Sequence, residues 1–198
     1  MQFTRQLQRA VLALAFVSSL GTIVLAQTAT QAVLPSRAEE FQVKAAFLYN
    51  FVKFAKWPEA GDRTDEPIRL GIFGEDPFGL SFDESLSAKL AHGRPIQVVR
   101  MRTLARLEVC HLLYISPSAS DQVEQILAVL QGSPVLIVGD QLEPLNRGVT
   151  INLTVDQRKV RFDVNAAAAR RSGLVLSSHL LRLARRVEGS KGGSRAFR

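Results

Sequence analysis

Three histidines, one cysteine and a lysine on an apolar helix face are the residues from which chemistry in this 198-residue chain would have to start. Cys110 and His111 are adjacent in a segment with strand character, so their side chains point to opposite faces. They cannot share one metal or form one nucleophile–base pair. Cys110 reads as a buried structural cysteine, His111 as a ring packed against the sheet, and His179 as a solvated residue on a charged helix face. Gly71 and Gly74 border a strand, but neither a full G-x-G-x-x-G nor a P-loop follows. Glu75 and Asp76 suit a turn and a helix cap better than acid–base work. Lys44 falls inside the apolar arc of its helix. It either lifts its ammonium to the rim or is paired in a pocket; the rim is the default. No catalytic residue, metal or cofactor is expected.

The elements that would position these residues follow from periodicity. From Ala38 to Trp57 the pattern is helical, with Phe41, Ala45, Leu48, Val52 and Ala55 on one face and Phe47, Phe51 and Phe54 widening it. Pro58 stops it. Ile68 to Phe73 reads as a buried strand ended by Gly74. A helix is expected between Pro77 and Leu90, with Asp76 as its N-cap. Strands are expected over Ile96–Met101, Cys110–Ile115 and Val135–Val138. A helix over Ser118–Leu130 turns Val123, Ile126, Leu127 and Leu130 inward, and Gly132 ends it. The alternation implies an α/β fold with a mixed sheet and flanking helices.

Further along, Ile151, Leu153 and Val155 alternate with polar residues, as do Val160, Phe162 and Val164. This predicts an antiparallel hairpin with one wet face carrying Asn152, Arg161 and Asp163. A turn at Asp156 and Gln157 would set Leu153 against Val160 and Ile151 against Phe162. Asn165 to Arg171 reads as a helix broken by Gly173. A last helix carries Leu176, Leu180, Leu183 and Val187 on one face and His179, Arg182 and Arg186 on the other.

The termini read differently. Arg5 and Arg9 precede an uncharged run, Ala10 to Ala26, which together read as a secretory signal peptide. The expected organisation is a cleaved signal peptide at 1–26, a flexible leader at 27–37, one domain at 38–188 and a disordered tail at 189–198. Loss of Arg5 and Arg9 lowers the net charge from +7 to +5. Export makes an anionic membrane surface or an acidic protein face a better counterpart for that charge than nucleic acid, and a solvated helix face that keeps the protein soluble accounts for it equally well.

Several blocks in order resemble the YfiR-like family (DUF4154). They are Val43-Lys44-Ala45-Ala46-Phe47-Leu48-Tyr49-Asn50-Phe51 with Trp57-Pro58, Leu70-Gly71-Ile72-Phe73-Gly74 with Asp76-Pro77-Phe78, and Gly93-Arg94-Pro95-Ile96. Cys110 to Ser116, Pro134-Val135-Leu136, and Val160 to Asn165 with Gly173-Leu174 follow. The resemblance implies a periplasmic α/β domain, often a homodimer, that represses an inner-membrane diguanylate cyclase by binding its periplasmic sensor domain. It also implies an outer-membrane lipoprotein that captures the repressor, so that cyclic di-GMP rises and biofilm formation is favoured. Family members with disulfides use them for stability and redox sensitivity; here Cys110 stands alone, which excludes an internal disulfide.

The expected function is therefore that of a non-catalytic periplasmic regulator. The expected partner-binding residues are Arg161, Asp163, Asn165, Arg170, Arg171 and Leu174 on the hairpin and the segment after it, with Arg182 and Arg186 on the last helix. The alternative is a small-ligand sensor that uses Gly74, Glu75 and Asp76 at the carboxyl edge of the sheet.

Overall fold

A computed structural model describes residues 37–58, 66–107, 110–142 and 148–189, apart from the Arg106 side chain. The expected signal peptide, nearly all of the leader and nearly all of the tail lie outside the described residues.

The first helix, α1 (Arg37–Phe54), buries Lys44, Leu48, Phe51 and Val52 along one stripe. It ends three residues before the expected Trp57, because Ala55–Lys56 (β1) leaves the helix to pair antiparallel with β9 (Val175–Leu176). Next come β2 (Ile68–Phe73), α2 (Leu80–Ser87), β3 (Leu90–Ala91) and β4 (Arg94–Met101), then β5 (Leu112–Ile115), α3 (Val123–Val129) and β6 (Leu136–Asp140). A 3-10 turn over Pro117–Gln122 takes the place of the first part of the expected 118–130 helix. The chain closes with β7 (Ile151–Asp156), β8 (Lys159–Asn165), α4 (Ala166–Arg171), β9, α5 (Ser178–Leu183) and β10 (Arg186–Glu188).

Eight strands form one mixed sheet in the order β10-β8-β7-β6-β5-β2-β4-β3. β4, β2, β5, β6 and β7 run parallel, and β7 and β8 form the antiparallel hairpin. The described residues thus make a single compact α/β domain with a layer on each face of the sheet. Even-numbered residues of β2, β5 and β6 (Leu70, Ile72, Leu112, Tyr114, Leu136, Val138) face α1, as do Ile151, Leu153, Phe162 and Val164 of the hairpin. Leu113, Ile115 and Ile137 face α3 on the other side. Phe162 fills the α1 side, 5.3 Å from the Phe47 ring and 5.0 Å from that of Phe51. Burying one such ring contributes about 1.5–3 kcal/mol.

Three expectations need correction. The hairpin turns at Gln157 and Arg158, whose φ values of +46° and +63° are left-handed, so Leu153 pairs with Phe162 and Ile151 with Val164. This is a two-residue shift from the expected register, and it keeps every apolar residue on the same face. Asp76 does not cap α2; Gly79 stands at that cap, while Asp76 Oδ1 accepts the Phe78 N–H at 2.7 Å in a turn. The expected last helix is three pieces, with Leu176 in β9, Val187 in β10, and Leu183 of α5 57% exposed.

Packing between β2 and its surroundings leaves no spare volume at Gly71. A Cβ added there would lie 2.6 Å from Cys110 Sγ and 2.7 Å from Met101 Cε. Gly71→Ala is expected to destabilise the fold by about 1–3 kcal/mol, read as a lower urea midpoint with an unchanged slope.

Candidate functional site

Lys44 is fully buried, and the ammonium is paired rather than lifted to the rim. Its place in the stripe with Leu48, Phe51 and Ala55 turns it into the sheet. The even-numbered face of the neighbouring strands supplies the counterpart, since Tyr114 lies two residues beyond Leu112 and Asp140 two beyond Val138. Lys44 Nζ donates to both oxygens of Asp140 at 2.7 Å and contacts Glu40 Oε1 at 2.6 Å one helical turn back. Tyr114 donates its hydroxyl to Asp140 Oδ2 at 2.6 Å. The Phe41 ring lies 5.1 Å from Nζ. Three N–H donors thus meet three carboxylate oxygens.

Burial raises the Tyr114 phenol far above its ordinary pKa, and the adjacent Asp140 charge pushes it further the same way. Its proton stays on the phenol oxygen and points at Asp140, as a structural donor requires.

The carboxyl edge of the sheet lies beside this cluster. Gly74 adopts φ +96°, and its N–H donates to the Met101 carbonyl at 2.9 Å. The Glu75 N–H donates to Ser118 Oγ at 2.8 Å. Asp76 is held by Arg100 at 2.7 Å, and Arg100 also grips Asp83 at 2.8 Å. Glu75 is exposed beside an open cavity of about 450 Å³ that Arg37, Phe41, Asp76, Ser116 and Ser118 also border.

The other expected site residues divide by burial. Arg161, Arg170, Arg171, Arg182 and Arg186 are exposed. Asp163, Asn165 and Leu174 are buried. Asp163 sits on the face expected to be wet, yet it is 3% exposed and forms a two-pronged ion pair with Arg185. Asn152 on the same face is also buried, donating to the Leu142 carbonyl at 2.7 Å and accepting its N–H at 3.1 Å. The hairpin's far face is therefore partly covered, which corrects the expectation for both residues. Asn165 Oδ1 accepts the Ala168 N–H at 2.9 Å as the N-cap of α4, and Leu174 packs in the core.

His111 Nδ1 accepts the Arg69 N–H at 3.1 Å, and the His111 carbonyl accepts from Trp57 Nε1 at 3.0 Å. Cys110 is buried, as expected. His179 is exposed, with its ring 5.1 Å from that of Phe54. Among the described residues no group of three or more His, Cys, Asp or Glu side chains is placed to hold a metal.

Residues 41–185 match the YfiR/HmsC-like family, DUF4154. The chain belongs to the YfiR/HmsC-like family. No curated protein matches it. Among solved structures, a conserved domain protein from Vibrio cholerae is similar in fold, with a TM-score of 0.51 at 12% identity over 73% of this chain. The match covers 60% of that protein, and at this identity it speaks for fold alone. Membership in the YfiR/HmsC-like family supports, in general terms, a periplasmic regulator of cyclic di-GMP signalling. Among the described residues no helix is long and apolar enough to cross a membrane.

The buried cluster generates two predictions. Lys44→Met strands the Asp140 charge and is expected to cost about 3–5 kcal/mol, whereas Lys44→Met with Asp140→Leu and Tyr114→Phe recovers most of that loss; urea titrations of the single and triple variants compare them. The unfolded chain releases the tyrosine proton above about pH 10, and the native state keeps it. The unfolded state then binds fewer protons, so stability falls as pH rises through that value. In denaturation series across this range, Tyr114→Phe is expected to fall less steeply than the wild type.

Proposed function

We propose that this chain is a non-catalytic periplasmic regulator that binds the periplasmic sensor region of an inner-membrane diguanylate cyclase and holds the cyclase inactive. The family match over residues 41–185 is the observation that carries this reading. The internal pairing of Lys44, Asp140 and Tyr114 agrees with it, because this buried ionic cluster is satisfied within the fold.

Repression of this kind needs only a difference in affinity between two states of the partner. Reversing a cyclase from almost fully active to almost fully inactive takes about 5.5 kcal/mol of that difference. Capture of the regulator by an outer-membrane lipoprotein would lift repression by mass action.

The contact assigned here is the edge of the sheet at β8 and β10. Arg161 and Arg186 stand exposed on the face away from α1. Arg186 lies 3.5 Å from Glu188 in an exposed pair that ties up little of its charge. Asp163, paired with the exposed Arg185, lies on the same face. Arg170, Arg171 and Arg182 belong to the opposite layer of the domain.

A second reading, a small-ligand sensor, draws on the cavity beside Glu75 and Asp76. The two readings are compatible, since a ligand there could bias partner binding.

The decisive experiment is titration of the purified protein against the periplasmic domains of diguanylate cyclases from the same organism. One domain is expected to bind, and Arg161→Glu with Arg186→Glu is expected to weaken that binding at least tenfold without changing the circular dichroism spectrum, as charge reversal at two interface positions should. A folded sample that binds none of them refutes repression by direct contact.

A further inference from the structure

In the layer that covers the α1 side of the sheet two long stretches contain no carboxylate, although α2, which packs Phe82 and Leu86 into the same core, carries Asp83 and Glu84. No Asp or Glu occurs from Phe41 to Pro58 or from Val164 to Val187. These stretches supply most of α1 and all of β1, α4, β9 and α5. Ala55, Ala169, Leu174 and Leu180 tie the smaller elements to the same core as α1. On the outer surface of this layer Lys56, Arg170, Arg171 and Arg182 are exposed. Arg170 spends one donor on the Gly189 carbonyl, which leaves its charge uncompensated.

Two aliphatic side chains stand out among these cations. Val175 is 62% exposed and pairs across the β1–β9 ladder with Lys56. Leu183 is 57% exposed and follows Arg182 at the end of α5.

We propose that this face rests on an anionic phospholipid surface. Exposed aliphatics among cations suit the boundary between headgroups and acyl chains, where each basic residue gains from the surface potential and each apolar one from shallow burial. An acidic protein is the other class of partner with the right charge. The arrangement argues against it, since a protein interface concentrates its energy in a central cluster of anchors packed into pockets. Here the charge is spread over three elements and the aliphatics stand singly, which matches an extended anionic plane better than a shaped pocket. The proposal does not depend on cyclase binding, and the face differs from the Arg161–Arg186 edge.

The test is vesicle flotation of the full chain. Its leading apolar run is common to all variants, so comparisons among them report on this face. Binding to vesicles of phosphatidylethanolamine and phosphatidylglycerol is expected to exceed binding to phosphatidylcholine vesicles and to fall as salt is added. Arg171→Gln and Arg182→Gln are each expected to weaken binding to the anionic vesicles about fivefold. Leu183→Ser is expected to lower binding at high salt as well, while Arg161→Gln, on the other face, leaves partition unchanged. Equal partition into both vesicle types, or no effect of Arg171→Gln and Arg182→Gln in folded protein, overturns the proposal. Retention on immobilised poly-glutamate without retention on anionic vesicles reassigns the face to an acidic protein and also overturns it.

Discussion

The position of α1 depends on one constraint: Lys44 is buried with its charge, and Asp140 and Glu40 neutralise it. Two charges removed from water are tolerated only where geometry is good and the remaining lone pairs are used. The bidentate contact to Asp140, the Glu40 contact and the Tyr114 hydroxyl meet that condition. Their directional demands are stricter than those of the surrounding leucines and phenylalanines, which would accept a small rotation of the helix. A shift of α1 by one residue would swing Lys44 off Asp140 and leave a bare carboxylate in the core. The pair contributes less to net stability than to the choice of one docking geometry for α1. That geometry in turn sets where β1 leaves the helix and meets β9.

The carboxyl edge of the sheet is organised by the same strands. Gly74 takes a left-handed turn that places the following backbone against the Ser116–Ser118 segment, and a Cβ there would come 2.7 Å from Ser118 Oγ. Arg100 closes the edge by bridging Asp76 and Asp83. With the Asp76 charge bound in this way, Glu75 is the exposed carboxylate at the cavity.

The sheet was largely legible in the sequence because continuous apolar runs and glycine or proline stops mark parallel strands, as at Ile68–Phe73. The pairing of Lys44 was half legible. A lysine at the spacing of Leu48, Phe51 and Ala55 left a buried pair open as the alternative to the rim, so the unusual place of Lys44 was visible. Asp140 was not, because it follows Gly139 at the end of a run that reads as finished at Val138, and its parity with Leu136 matters only once the strand is extended. The hairpin register was missed because Gln157 and Arg158 carry no turn signature such as Asn-Gly, although both adopt left-handed conformations. Asp163 and Asn152 were placed in water because alternation alone says nothing of what covers the second face. The covering segment at Gln141 and Leu142 is specified by side-chain-to-backbone bonds that leave no periodic trace.

Part of the charge on the α1 layer has an ordinary explanation. Lys53, Arg170 with Arg171, and Arg182 lie in the last turns of α1, α4 and α5, where a cation offsets the helix dipole. That accounts for their sign at their own positions, although α4 and α5 are six residues each and their dipoles are small. It does not account for the rest. Lys56 lies in a strand, and a helix that ends in a cation still tolerates carboxylates in its first turn, where they are favourable. α4 and α5 have none there, whereas α1 has Glu39 and Glu40 at the end remote from this face. Omitting acids leaves like charges within a Debye length of one another, a small but real cost that the fold does not require. Exposing Leu183 rather than a polar residue beside Arg182 adds nothing to the core. Dipole compensation therefore explains where single cations sit, and the absence of carboxylates from α4, β9 and α5 is what contact with an anionic surface would add to it.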